Sequence, residues 1–273
     1  MNSRMQGFER ESLMTVLHSK RVWLIHVIAN AGLMVSFFYW TRIPDEHGWQ
    51  FVFTVLAGVL IAFFTLWLHC ATLDFFARRD SFTAALKRTI SRVPWFLLWT
   101  AIFGVALWFI GKGWTYDAQT GGWLRHLLPS FLRKSISPRT MMSFSSAVIW
   151  FGFYFLWPIV ALPMGAQVAL HGLRGFYSAA AFRTLRSLRF WIMYAICFLT
   201  GAYIPFRLAW MTPTKPSPLS TQELSMAVRL GCAYLLLVTA WLVLCAAIMR
   251  ASGGEKAEGI AENEPEPVGS ATA

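Results

Sequence analysis

Apolar residues in this chain run continuously. They do not alternate as in a strand, and they do not recur every third or fourth position as on a surface helix. Six stretches, at residues 22–40, 49–73, 93–110, 144–170, 190–210 and 226–249, are free of Asp and Glu. Each reaches roughly the 20 residues that a helix needs to cross a hydrocarbon core about 30 Å thick. Backbone N–H and C=O groups cannot be left unpaired in lipid, and barrel strands would alternate instead of running on, so the spans are predicted to be helices. The expected fold is all-α and polytopic: a six-span membrane domain over residues 1–251 and a disordered tail over 252–273, where Gly, Glu and Pro leave little apolar mass to bury.

Composition agrees. Of 273 residues 56% are hydrophobic and only 14% charged, with 14 Trp and 23 Phe. So few ionic side chains cannot cover a water-facing surface, which excludes a secreted disulfide scaffold, a soluble nucleic-acid binder and a single-anchor enzyme. The four Cys (70, 197, 232, 245) lie in or at the edges of apolar runs and form no CxxC or Cys/His ligand spacing. The net charge of +11 reads as attraction to anionic lipid headgroups. Fifteen Lys and Arg fall on the side of the two termini and nine on the other. By the positive-inside rule, both termini are expected in the cytoplasm of a bacterial inner membrane.

Two segments on that side share a pattern. Thr83-Ala84-Ala85-Leu86-Lys87-Arg88 matches Ala179-Ala180-Ala181-Phe182-Arg183-Thr184 at an offset of 96, and the register continues through Ser91 with Ser187 and Trp95 with Trp191. The same offset lays the second span on the fourth and the third on the fifth, which describes a parallel repeat. Each unit has a short amphipathic connector. In the first, Asp80 is a candidate cap, with Phe82, Ala85, Leu86, Thr89 and Ile90 on one face and Lys87, Arg88 and Arg92 outside it. In the second, Ser178 is the candidate cap, with Arg183, Arg186 and Arg189 on the polar side. Such helices lie in the interface with basic residues against phosphates.

The pattern Ser81-Phe82-x-x-Ala85-Leu86-Lys87-Arg88-x-x-x-Arg92-x-Pro94 resembles the interfacial helix of a loose group of uncharacterised bacterial six-span membrane proteins. That group includes the membrane domain associated with glycerophosphodiester phosphodiesterases. The resemblance covers residues 70–110 with an echo at 170–205. It implies architecture and no phosphodiesterase activity, because no catalytic domain accompanies it.

Three sets of residues carry candidate chemistry. The basic connector residues Lys87, Arg88, Arg92, Arg183, Arg186 and Arg189 would hold anionic headgroups. Pro158 and Pro163 free backbone carbonyls in the fourth span, and with Gln167 they would line a path if the chain were a permease for a small or amphiphilic solute. His26, His69 and His171 fall at similar depth, where imidazoles from separate helices would ligate haem or a metal. No HExxH, GxSxG, GxGD or P-loop pattern occurs. The reading is therefore a non-catalytic, lipid-interacting or assembly component without a cofactor. Its expected partners are anionic lipids and other membrane proteins or further copies of itself, and nucleic acid is not among them.

Overall fold

The computed structural model describes residues 14–44, 46–211 and 218–253. Among these, every regular element is helical. Six helices are long and apolar enough to cross a membrane, so the chain is an all-α, multi-pass membrane protein. The N-terminal Arg4 and Arg10, the Pro-rich loop after the fifth span and most of the expected tail lie outside the described residues. Of that tail, Ser252 and Gly253 are described, and they continue the last helix.

The chain enters through α1 (Lys20–Trp40) and returns through α2 (Gly48–Arg78). A connector helix, α3 (Phe82–Thr89), leads through a 3₁₀ turn (Ile90–Arg92) into α4 (Val93–Thr115). Two short helices, α5 (Asp117–Leu127) and α6 (Ser130–Ser135), cover the far side. The fourth crossing is composite: α7 (Pro138–Phe151), a π-helical turn (Gly152–Leu156) and α8 (Trp157–His171). A 3₁₀ segment (Gly172–Tyr177) and the second connector α9 (Ala179–Arg186) follow. The fifth crossing comprises α10 (Leu188–Phe198), a second π turn (Leu199–Tyr203) and α11 (Ile204–Ala209), and the sixth is α12 (Leu219–Gly253).

Capping explains where the elements extend past the apolar runs. The Ser137 hydroxyl accepts from the Thr140 N–H at 3.1 Å and Pro138 takes the first turn, so the fourth crossing begins ahead of residue 144. The first connector is capped by Ser81, whose hydroxyl accepts from Ala84 N–H at 3.2 Å, and not by Asp80. Asp80 is occupied with Arg88 instead. Ser178 caps the second connector as expected, accepting from Ala180 N–H at 3.3 Å.

Both π turns are followed two residues on by a proline, Pro158 and Pro205. Proline lacks the N–H and its ring crowds the carbonyl one turn back. Widening that turn to π geometry makes room for the ring without breaking the helix. Pro158 is thus absorbed by a local wide turn, and the crossing stays helical through Pro163, which lies inside α8.

The last helix is the hub. Of its most apolar stretch 61% is buried, against 6–22% for the other five crossings. Val238, Leu242, Cys245 and Ile248 of α12 form one core with Phe190 and Tyr194 of α10, Ile159 of α8 and Cys70 and Leu73 of α2. Close approach is bought with small residues: a Cβ on Gly201 would stand 2.6 Å from the Ala240 Cβ. Outside this core, Leu24, Ile28, Leu60, Ile102 and Val105 are about half exposed or more, a surface for acyl chains to cover.

A Cβ on Gly175 would overlap the backbone carbonyl of Gln167, which is helix backbone and cannot swing aside. Gly175→Ala is expected to destabilise the fold by about 3 kcal/mol, the upper range for overpacking. The check is a thermal unfolding midpoint in detergent, where Gly122→Ala, which meets no neighbouring atom within 4 Å, serves as the neutral control.

Candidate functional site: a buried aspartate clamp and two basic connectors

The last turn of α2 carries Asp74, which is completely buried. A lone carboxylate there would be very costly, and three arginines meet it. Arg78 Nε donates to Oδ1 at 3.1 Å and Arg92 Nη1 to the same oxygen at 3.0 Å. Arg88 donates to Oδ2 through Nε at 2.9 Å and Nη2 at 2.6 Å. The Arg88 guanidinium then reaches Asp80, with Nη1 to Oδ2 at 2.6 Å and Nη2 to Oδ1 at 2.9 Å. One planar fork thus joins two carboxylates, which lysine could not do.

The clamp ties the end of α2 to α3 and to the 3₁₀ turn after it. It sets the first connector flat against the bundle, with Phe82 and Ala85 buried on Ala71 of α2 while Lys87 stays exposed. Hydrogen bonding to Arg88 holds the Asp80 carboxyl below the usual carboxylate range.

The sequence expectations sort differently in space. Arg88 and Arg92, expected to hold headgroups, are engaged by Asp74 and Asp80. Lys87, Arg183, Arg186 and Arg189 carry no ion pair or hydrogen bond among the described residues, and the first three are exposed. At the repeat offset of 96, Asp74, Arg88 and Arg92 correspond to Leu170, Thr184 and Leu188, so the second unit has no clamp. It is held by packing and neutral bonds: Gly175 lies against the Gln167 backbone, the Ser178 hydroxyl donates to Gln167 Oε1 at 3.1 Å, and Trp191 Nε1 donates to the Leu185 carbonyl at 2.8 Å.

That bond also bears on Pro158, Pro163 and Gln167. Pro163 and Gln167 are buried, Pro158 is partly so, and none of the three lines either of the two described cavities. Gln167 spends its carbonyl oxygen on Ser178 and so serves as a strut for the second connector.

His26 and His69 do meet, with ring centroids 6.1 Å apart. His171 does not join them: it is exposed and sits within electrostatic reach of Arg92, Arg78 and Asp74. Both nitrogens of His26 are engaged. The Thr72 hydroxyl donates to the Leu68 carbonyl at 2.7 Å, so at 2.5 Å it accepts from His26 Nε2–H. The remaining Nδ1 lone pair accepts from Asn30 Nδ2 at 3.2 Å. No lone pair of His26 is left for iron, the buried Nδ1 of His69 has no hydrogen-bond partner, and among the described residues no group of three His, Cys, Asp or Glu is placed to hold a metal ion. The network is helix-to-helix glue. It continues on the α12 side, where Trp23 Nε1 donates to Thr239 Oγ1 at 3.0 Å and the Tyr234 hydroxyl to the Val27 carbonyl at 2.5 Å.

The i, i+4 spacing of Asp74 and Arg78 is legible in the sequence, and Arg88 and Arg92 are the partners that sequence reasoning missed. The available signal was the i, i+4 spacing of those two arginines just downstream of an acid at the end of an apolar run. Comparisons with known proteins give no match for this chain: no family model, no curated protein and no solved structure.

Asp74→Asn would strand the Arg92 guanidinium and leave Arg88 with Asp80 alone, and removing one partner of a buried pair costs about 3–5 kcal/mol. A matching drop in thermal midpoint in detergent is expected, and Arg88→Lys should lose a substantial part of the same stability because it cannot bridge Asp74 and Asp80. For Asp80 the carboxyl is depressed in the folded state, so its contribution is full above its unfolded value of about 4 and disappears as pH falls through the lower folded one. The difference in midpoint between wild type and Asp80→Asn should stay constant above about pH 4 and shrink below it, as unfolding scans across a pH series will show.

Proposed function

We propose that this chain is a non-catalytic, multi-pass component of a bacterial inner membrane that gathers anionic lipid on the face bearing α3 and α9. The observation that carries this reading is the difference between the two connectors. In the first, a buried carboxylate consumes two of three basic residues. In the second, Arg183, Arg186 and Arg189 lie on a Ser-capped amphipathic helix and its exit, with no acidic partner among the described residues. Unpaired guanidiniums at a span end are suited to lipid phosphates, each worth about 1 kcal/mol against an anionic surface. Lys87 adds a fourth charge on the same side of the bundle.

The Lys and Arg excess on this side supports placing it in the cytoplasm, with both termini there. The likeness to six-span membrane domains found beside glycerophosphodiester phosphodiesterases supports the architecture alone. Further membrane proteins, or copies of this chain, are proposed as neighbours on the lipid-facing surface.

Native mass spectrometry of protein purified in mild detergent tests the reading. Wild type should retain phosphatidylglycerol or cardiolipin, and alanine at Lys87, Arg183, Arg186 and Arg189 should lower retention by up to about fivefold per charge removed. Retention equal to wild type would sink the proposal. Alanine at Arg88 or Arg92 should lower the thermal midpoint instead.

A further inference from the structure

Where α1, α2 and the first connector meet, the helices leave an open groove of about 390 Å³. One wall is a stripe of α1 at helical spacing, Ile25, Ala29, Gly32 and Ser36. Small residues make that wall concave, and a Cβ placed on Gly32 would meet nothing within 4 Å. Phe64 and Trp67 of α2 form the facing wall, and Phe82 and Leu86 of α3 close the end nearest the connector. Ser36 and Trp67 are the side-chain donors of this lining, and both are spent on backbone. Ser36 Oγ donates to the Gly32 carbonyl at 2.9 Å and Trp67 Nε1 to the Leu86 carbonyl at 2.9 Å. The groove therefore presents shape and apolar surface to whatever fills it.

Its length selects the occupant. From Ile25 to Ser36 the helix rises about 16 Å, close to half of a hydrocarbon core about 30 Å thick. Past Ser36 the two helices close on each other. Trp40 Nε1 donates to the Thr54 carbonyl at 2.7 Å, and the indole would stand 3.1 Å from a Cβ on Gly58. A neighbouring transmembrane helix needs a seam through both leaflets, whereas an acyl chain fills one. The end beside the connector is basic. Arg21 lies one turn before Ile25 on the same stripe of α1, and Lys87 follows Leu86 on the side of α3 away from Arg88. Both are exposed, and neither carries an ion pair or hydrogen bond among the described residues. Long basic side chains at this level reach the interface while their stems lie on apolar surface.

We infer that the groove seats one acyl chain of an anionic phospholipid, in the leaflet on the connector side, with its phosphate at Arg21 and Lys87. The inference rests on the lipid-gathering reading through Lys87. It adds a defined seat on α1 and α2 to what is otherwise a general excess of charge.

The whole chain is placed in phosphatidylcholine nanodiscs containing a small fraction of phosphatidylglycerol with a photoactivatable diazirine in mid-chain, and labelled peptides are mapped by mass spectrometry. Wild type should be labelled chiefly within residues 25–36 and 64–68. Gly32→Phe and Ser36→Phe fill the groove from two separate positions, and both should lose this labelling with the thermal midpoint unchanged. Gly104→Phe makes the same change at an exposed position of α4, where a Cβ also meets nothing within 4 Å, and should keep it. Alanine at Arg21 and Lys87 should lower the labelling by up to about fivefold per charge, toward the level given by a diazirine phosphatidylcholine. Labelling spread evenly over the lipid-facing helices, its persistence in both Phe variants, or equal labelling by the two lipids overturns the inference. So does an unlabelled groove in a wild-type dimer that Gly32→Phe dissociates in native mass spectrometry, which would give the groove to a second copy. Alanine at Arg183, Arg186 and Arg189 should lower bulk lipid retention and leave the groove labelling intact, so the seat and the connector reading fail separately.

Discussion

Taking one carboxylate out of water at the end of a membrane span is the constraint on which the arrangement of this protein's connector face depends. Asp74 is fully buried. Moving such an ion into a low-dielectric interior carries an idealised cost on the order of 20 kcal/mol, and only close, well-directed partners offset it. Arg78, Arg88 and Arg92 supply them from three consecutive pieces of backbone. Each bond is also a geometric restraint, so the residues between 78 and 92 have little freedom in how they turn. The connector helix lies down because its arginines must reach the end of α2. Burial of Phe82 and Ala85 alone would not select that angle.

The rest of the bundle is assembled by other means. Lipid tails are as apolar as leucine side chains, so helix association there rests on close packing and hydrogen bonds and not on hydrophobicity. Both are visible around α12. Gly201 brings a π turn onto Ala240, and Trp23 and Tyr234 stitch α1 to α12. The Asn30–His26–Thr72–Leu68 chain binds α1 to α2. His26, buried this way, is satisfied on both sides, and this is why a histidine that reads as a ligand in sequence is mortar in space.

The two halves of the repeat show one architecture held by different chemistry. Each has a long helix closed by a positive-φ residue, a serine-capped basic connector and a returning helix. The first half fastens its connector with ions, and the second with a glycine contact and a Ser178–Gln167 bond. The consequence is electrostatic. Charges consumed in the first unit are left over in the second.

The sequence alone determined what one dimension of physics can decide. Continuous apolar runs set six helical crossings, because unpaired backbone is forbidden in lipid, and Ser178 marked the start of the second connector. Basic residues at helical spacing marked the connector face. Tertiary structure decided which of those charges are paired. Whether Arg88 points to lipid or to Asp74 depends on where α2 ends relative to α3, a distance that spacing along the chain does not contain. The same holds for His26, whose partner Thr72 is 46 residues away, and for Pro158, whose disruption is cancelled by a wide turn with no sequence signal beyond the proline itself.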